Sequence, residues 1–159
     1  PKTVVGPMID AGAADRVQAW TDEAIRAGAE ALLSPTRAGN VLTPGLLAGV
    51  PRDAKVSCRE VFGPVTIVAP YRDWPEALAT VNDSDFGLQA GVFTHDVNRI
   101  HQAFHGLEVG GVIANDFPTL RVDNFPYGGV KDSGFGREGV RYAMEEMSEP
   151  RMLVINTTR

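Results

Sequence analysis

Val65 to Ala114 reads VTIVAPYRDWPEALATVNDSDFGLQAGVFTHDVNRIHQAFHGLEVGGVIA, and this stretch decides the fold class. Val65 to Pro70 is a short β-branched run that predicts a strand. Asp73-Trp74-Pro75-Glu76 then forms a D-x-x-E capping box, opening a helix that carries Ala77, Leu78 and Val81. Gln89 to Thr94 predicts the next strand. Asp96 caps a second helix, whose Val97, Ile100, Phe104 and Leu107 form an apolar stripe at helical spacing. Val109 to Ala114 supplies a third strand. The β-α-β-α-β alternation favours parallel pairing through right-handed crossovers, so the expectation is an α/β fold, a layered parallel sheet with flanking helices.

Working outward, Asp10 to Gly28 repeats Val17, Trp20, Ala24 and Ala27 at helical spacing, with Asp10 placed as an N-cap and Gly28 where a helix stops. Glu30 to Leu33 predicts a strand. Ser34 to Pro51 is rich in proline and glycine and reads as irregular connection. Near the C-terminus, Val140 to Met147 predicts a short helix and Met152 to Asn156 a terminal strand beyond Pro150. Residues 1–148 read as one domain portion and residues 149–159 as a separate terminal strand.

The 159 residues are 43% hydrophobic and 22% charged, within the range of a globular chain that buries one core. A net charge of -5 and the lack of a basic stripe argue against a nucleic-acid partner, because such affinity rests on clustered Lys and Arg. No apolar run approaches the roughly 20 residues needed to span a bilayer, so no membrane association and a cytoplasmic location are expected. One cysteine cannot form an internal disulfide. Pro1 to Asp10 reads as mid-chain sequence, which raises the expectation of a piece of a longer or processed protein.

Several groups are candidates for chemistry. Gly134-Phe135-Gly136-Arg137-Glu138-Gly139 matches G-x-G-x-x-G, but a dinucleotide fingerprint follows a buried strand and precedes an acidic ribose ligand about 20 residues on. Gly129 to Ser133 is not strand-like, so the run reads as a tight loop before a helix. Glu60-Val61-Phe62-Gly63-Pro64 lies at the mouth of a predicted strand. It is open to two readings. One is a strand-entry turn with an exposed Glu60 and a core Phe62. In the other, Glu60 accepts hydrogen bonds from sugar hydroxyls and Phe62 walls a planar ring. Cys58 lies near Lys55 and Arg59, which could activate a thiolate. His101 and His105 share a helix face but lack the acidic partner of H-E-x-x-H and a third ligand, so no metal is expected. Arg121 reads either as a ligand for an anionic substrate group, through its planar fork, or as a surface arginine paired with Asp123 or Asp116.

Four motifs occur in one order. Val5-Gly6-Pro7-Met8-Ile9 is followed by Glu60 to Pro64, by Asn82 to Gly91 (NDSDFGLQAG), and by Val112 to Asn115 leading into Pro126 to Glu138 (PYGGVKDSGFGRE). Together they resemble the C-terminal portion of the NAD(P)-dependent aldehyde dehydrogenase superfamily across essentially the whole chain. The run from Arg121 to Pro126 and the run Gly139 to Met147 are similar to the non-phosphorylating glyceraldehyde-3-phosphate and hydroxyaldehyde dehydrogenase subgroup.

The resemblance implies oxidation of an aldehyde to a carboxylic acid through a cysteine thiohemiacetal, with NAD or NADP as cofactor. It places Glu60 at the nicotinamide ribose, Phe62 beside the nicotinamide, and Tyr127 and Arg121 in a substrate pocket suited to a small anionic aldehyde. It assigns no catalytic residue to this chain, since the nucleophile and general base lie upstream in the family and Cys58 is in the wrong motif. The chain alone is expected to be inactive. The terminal strand implies a homo-oligomer. A CoA-acylating enzyme and a non-catalytic truncated interaction module are the alternatives.

Overall fold

The computed structural model describes residues 4–157, and the chain divides into two compact units, Pro1–Arg72 and Asp73–Arg159. The first unit opens with helix α1, Ala11–Arg26, whose N-cap Asp10 accepts a hydrogen bond from the Ala13 N–H at 2.6 Å. That bond satisfies one of the donors every helix start leaves open. Its buried face is Ala14, Val17, Thr21 and Ala24. Trp20 is only partly buried and Ala27 is exposed, so the inward stripe lies slightly to one side of the expected one. Thr21 keeps its hydroxyl satisfied by donating to the Val17 carbonyl at 2.8 Å.

Strand β1, Glu30–Leu33, forms as expected. The segment expected to be irregular instead holds β2, Arg37–Ala38, and β3, Val41–Leu42, a short antiparallel hairpin, followed by β4, Gly45–Ala48. Strand β4 is the centre of a three-stranded sheet of order β1-β4-β5, where β5 is Val65–Val68. It pairs antiparallel with β1 and parallel with β5, in register from Gly45↔Val65 to Ala48↔Val68. A short helix α2, Lys55–Cys58, precedes β5. Ala24, Ala29, Leu47 and Val56 form one core cluster, and Ala14, Val17 and Leu42 a second. Leu47 is fully buried because its strand has a partner on each side.

The second unit begins with α3, Trp74–Asn82, whose N-cap Asp73 accepts from the Glu76 N–H at 2.9 Å, with proline in the first turn. Strands β6, Phe86–Gly87, and β7, Gln89–Val92, lead to α4, Val97–Gly106, and to β8, Gly111–Ala114. Strands β7 and β8 pair parallel across the α4 crossover. Val92, Ala103 and Leu107 form the core here, joined by Trp74, Leu78 and Val112. Within the expected α4 stripe, Val97 and Phe104 are exposed, and Ala103 takes the inward position. Strand β9, Val130–Lys131, pairs antiparallel with β6, and α5, Val140–Glu146, follows.

The fold is therefore α/β with mixed sheets. Each parallel pair sits in its own small sheet; of the antiparallel pairs, a short turn closes β2–β3, while β1–β4 and β6–β9 join segments distant in sequence. Two further expectations change. Gly129 to Ser133 contains the two-residue β9, since Phe86 and Gly87 offer it an open edge. Met152 to Asn156 forms no strand among the described residues, and Met152, Leu153, Val154 and Ile155 are exposed. An extended segment becomes a strand only when a neighbour supplies its ladder bonds.

Candidate functional site

In the first unit, the loop after α2 carries Glu60 and Phe62. Phe62 has φ +46°, a left-handed conformation that bulky side chains avoid, and the residue is 74% exposed. Phe62 belongs to none of the core clusters formed by the described residues. The cause lies in the next residue. A Cβ on Gly63 would fall 2.7 Å from Val17 Cγ2, so the backbone of Gly63 is seated directly on the buried face of α1. With Gly63 pressed inward, the turn throws Phe62 outward. The loop is anchored beyond that point as well: Val65 N–H donates to the Gly63 carbonyl at 2.8 Å, and Gly45 N–H to the Pro64 carbonyl at 2.8 Å. Glu60 is exposed, and its carboxylate has no hydrogen-bond or ion-pair partner among the described residues. A free carboxylate and a ring held in solvent on a braced loop fit a ligand with hydroxyls and a flat face.

Cys58 ends α2, exposed, with its thiol directed at the Asp53 carbonyl at 3.5 Å. Among the described residues no base lies at hydrogen-bond distance from it.

In the second unit, Arg121 and Tyr127 are brought together. The Arg121 guanidinium lies 4.8 Å from the centre of the Tyr127 ring, stacked as a cation over an aromatic face. Its Nη2 donates to Glu138 Oε2 at 2.7 Å, and Asp123 Oδ1 is 4.0 Å from its Nε. The hydrogen bond to Glu138, and then the charge of that carboxylate, raise the Arg121 pKa above its ordinary value. Asp116, the other expected partner, instead accepts from the Phe117 N–H at 2.8 Å. Tyr127 also lines an open cleft of about 390 Å³ together with Leu88, Phe135, Arg137, Glu138 and Met147.

The PYGGVKDSGFGRE run is a folded knot. Tyr127 and Glu138 exchange two backbone hydrogen bonds, at 3.1 and 2.6 Å. Lys131, at the end of β9, reaches the Asn82 and Ser84 carbonyls at 2.7 and 3.1 Å and the Glu108 carboxylate at 2.7 Å. Ser133 Oγ accepts from the Gly87 N–H at 3.0 Å. Within the G-x-G-x-x-G match, the Arg137 N–H already donates to Glu146 Oε1 at 3.1 Å, and the Arg137 side chain holds the Gly129 and Gly136 carbonyls. A carboxylate of the chain itself sits where a pyrophosphate would need open donors, so this loop is scaffold.

The NDSDFG run is scaffold too. Asn82 Nδ2 donates to the Gly106 carbonyl at 2.7 Å and its Oδ1 accepts from the Glu108 N–H at 2.9 Å, tying the end of α3 to the end of α4. His101 and His105 are exposed on α4, with the His105 ring edge-on to Phe104 at 5.2 Å. Among the described residues no three metal-binding side chains converge. Glu138 is the site residue that sequence reasoning passed over. It was visible within the run, but its contact with Arg121 depends on a pairing 17 positions long that no local pattern announces.

The chain resembles known proteins along nearly its whole length. It is 48% identical over 155 residues to the 3-sulfolactaldehyde dehydrogenase of Priestia megaterium, a match covering 98% of this chain and 32% of that protein. The crystal structure of aldehyde dehydrogenase 21 from Physcomitrella patens, in complex with the reaction product succinate, superposes with a TM-score of 0.87 at 46% identity. That match covers 91% of this chain and 30% of the other. The NADP complex of glyceraldehyde-3-phosphate dehydrogenase from Methanocaldococcus jannaschii gives a TM-score of 0.86 at 40% identity, covering 93% and 32%. The chain thus spans about a third of the length of the curated relatives it matches. The sequence profile of the aldehyde dehydrogenase family matches residues 1–153, and with the fold and the four ordered motifs in agreement, the chain belongs to that family.

Proposed function

We propose that this chain is the C-terminal third of an NAD(P)-dependent dehydrogenase that oxidises a small anionic aldehyde to its carboxylic acid. The cysteine nucleophile and the general base come from outside residues 1–159. The observation that carries the reading is Phe62: a bulky residue is held at φ +46° with its ring in solvent, and local strain of about 1–3 kcal/mol of this kind persists at ligand sites, where the surrounding structure enforces it.

When bound, the nicotinamide cofactor accepts a hydride from the substrate carbon. The first unit's part is binding. Glu60 accepts hydrogen bonds from ribose hydroxyls, and Phe62 presents a flat apolar face that excludes water from one side of the ring. In the second unit, Tyr127 forms an aromatic wall of the aldehyde site and Arg121 binds the anionic end of the substrate. The names of the similar proteins support that class: sulfolactaldehyde carries a sulfonate, glyceraldehyde-3-phosphate a phosphate, and succinate carboxylates. Exposed apolar residues in the terminal segment support assembly into a homo-oligomer.

The test compares purified residues 1–159 with the full-length protein for NAD(P)H formation from sulfonated, carboxylated, phosphorylated and neutral short aldehydes. The full-length protein is expected to turn over at least one of the anionic classes in preference to the neutral aldehydes, and the 159-residue chain none. Turnover by the short chain, or no reduction of either cofactor by the full-length protein, overturns the proposal.

A further inference from the structure

The surroundings of Arg121 limit the charge its ligand can carry, an inference that rests on the reading of Arg121 as the anion-binding group. Glu138 and Asp123 approach one side of its fork, at Nη2 and Nε, while the Tyr127 ring covers one face. Nη1 has no partner among the described residues, so the open end of the fork is what a ligand meets. The backbone holds Glu138 there, while the Asp123 carboxylate stands in solvent 4.0 Å from Nε. Glu138 is locked to Tyr127 by the paired hydrogen bonds. Gly139, at φ +116°, lies so close to the preceding segment that a Cβ on it would be 3.0 Å from the Phe125 carbonyl oxygen and 3.5 Å from that of Asp123. The neighbouring arginines have carboxylates of their own: Arg137 lies beside Glu146, which accepts from its backbone N–H at 3.1 Å, and Arg141 pairs with Glu145 at 2.8 Å.

One guanidinium therefore faces two carboxylates before any substrate arrives. A ligand anion gains the open end of one arginine and is repelled by both acids. Repulsion from each acid doubles when the ligand charge goes from one to two, and the cost of removing the ion from water rises with the square of its charge, while the number of arginine donors stays the same. We propose that Glu138 and Asp123 make this a monoanion-selective site, which takes an aldehyde ending in a sulfonate or carboxylate and turns away the phosphate dianion.

The experiment measures kcat/KM of the full-length enzyme for two aldehydes of matched length, one ending in sulfonate and one in phosphate, with a neutral aldehyde as reference. The pH is kept well above the second phosphate ionisation near 6, so that the phosphate is a dianion. The wild type is expected to favour the sulfonate. Glu138→Gln and Asp123→Asn are each nearly isosteric; the first is expected to raise the phosphate-to-sulfonate ratio by about three- to tenfold, the scale of one unit charge removed at about 5–6 Å in a partly solvated site, and the second to raise it by less, because solvent screens the exposed Asp123. The ratio is taken within one protein, so a loss of folded enzyme cancels. Asp123 is 98% exposed, which keeps the second variant available if the first folds poorly. A wild type that favours phosphate, or a ratio unmoved in both variants, overturns the inference. Arg121→Met separates the levels: if it leaves the preference for anionic over neutral aldehydes intact, the underlying reading of Arg121 fails; if it abolishes that preference while the ratio stays unmoved in the other two, only the charge limit fails.

Discussion

Arg121 and Glu138 are joined at 2.7 Å across 17 positions of sequence, and the joint is made by backbone before it is made by charge. The two hydrogen bonds between Tyr127 and Glu138 place the carboxylate, the ring beneath the guanidinium follows from the same pairing, and the arginine is left with one open end. A long flexible side chain is thereby oriented before binding, which lowers the entropy lost when a ligand arrives.

Replacing Arg121 by Lys keeps the charge and loses both the fork and the stacked plane. In the full-length enzyme kcat/KM for an anionic aldehyde should fall by about 10- to 100-fold, the scale of a charge-assisted hydrogen bond worth about 1.5–3 kcal/mol. Steady-state kinetics with anionic and neutral aldehydes side by side checks it. A Lys variant that matches the wild type would reduce Arg121 to a surface ion-pair residue.

Gly63→Ala should destabilise the first unit by about 1–3 kcal/mol, the usual cost of overpacking, because the added methyl would meet Val17 at 2.7 Å. Thermal or denaturant unfolding measures the loss. Adding Val17→Ala should recover part of it, with a coupling energy of about 0.5–3 kcal/mol for residues in contact. Strictly additive losses would show that the loop does not rest on α1 at this point.

Much of this fold could be read locally, and the rest depended on partners distant in sequence. Helices α1 and α3 were legible because their N-caps, Asp10 and Asp73, lie within a few residues of the donors they satisfy. Strand β4 was not, since Pro44, Gly45 and Gly49 mark it as loop, and its burial comes from β1 and β5 on either side. On α4 the large apolar residues misled: Phe104 is 64% exposed, while the small Ala103 is fully buried. Arg121 and Tyr127 were marked by motif, but the carboxylate that orients the arginine lies in a run that reads as a tight loop, and its partner is 17 positions away.

Asn82 gives a prediction about the NDSDFG run. Its side-chain amide bonds the Gly106 carbonyl and the Glu108 N–H, closing the ends of two helices. Asn82→Ala should lower stability by about 1–3 kcal/mol through the backbone groups left unpaired. Hydrogen exchange should show the Glu108 amide losing protection before the α4 interior does. Unchanged exchange at Glu108 would mean that water replaces the amide at no cost.

Phe62→Gly separates strain from function, because glycine adopts φ +46° freely while the ring is lost. Stability of the first unit should hold or rise, by up to about 1 kcal/mol. The KM for the nicotinamide cofactor should rise by about tenfold, the scale of losing a buried apolar contact of 1–2 kcal/mol. A fall in stability with an unchanged cofactor KM would make Phe62 a packing residue.

Cys58→Ser tests whether the thiol of this chain does chemistry. Its Sγ faces the Asp53 carbonyl, an acceptor that cannot take a proton, and it stands on a four-residue helix with no base at hydrogen-bond distance among the described residues. A nucleophile needs an adjacent base or a depressed pKa to be thiolate at neutral pH, and the described residues place no base beside it. Turnover of the full-length enzyme should therefore stay within about twofold of wild type. A burst experiment sharpens the reading, since a covalent intermediate on another cysteine would leave burst amplitude intact in the Ser variant. A fall of about 100-fold or more in kcat, the scale of a lost nucleophile, would move the reaction centre to Cys58 and require Asp53 and Arg59 to be reconsidered as its partners.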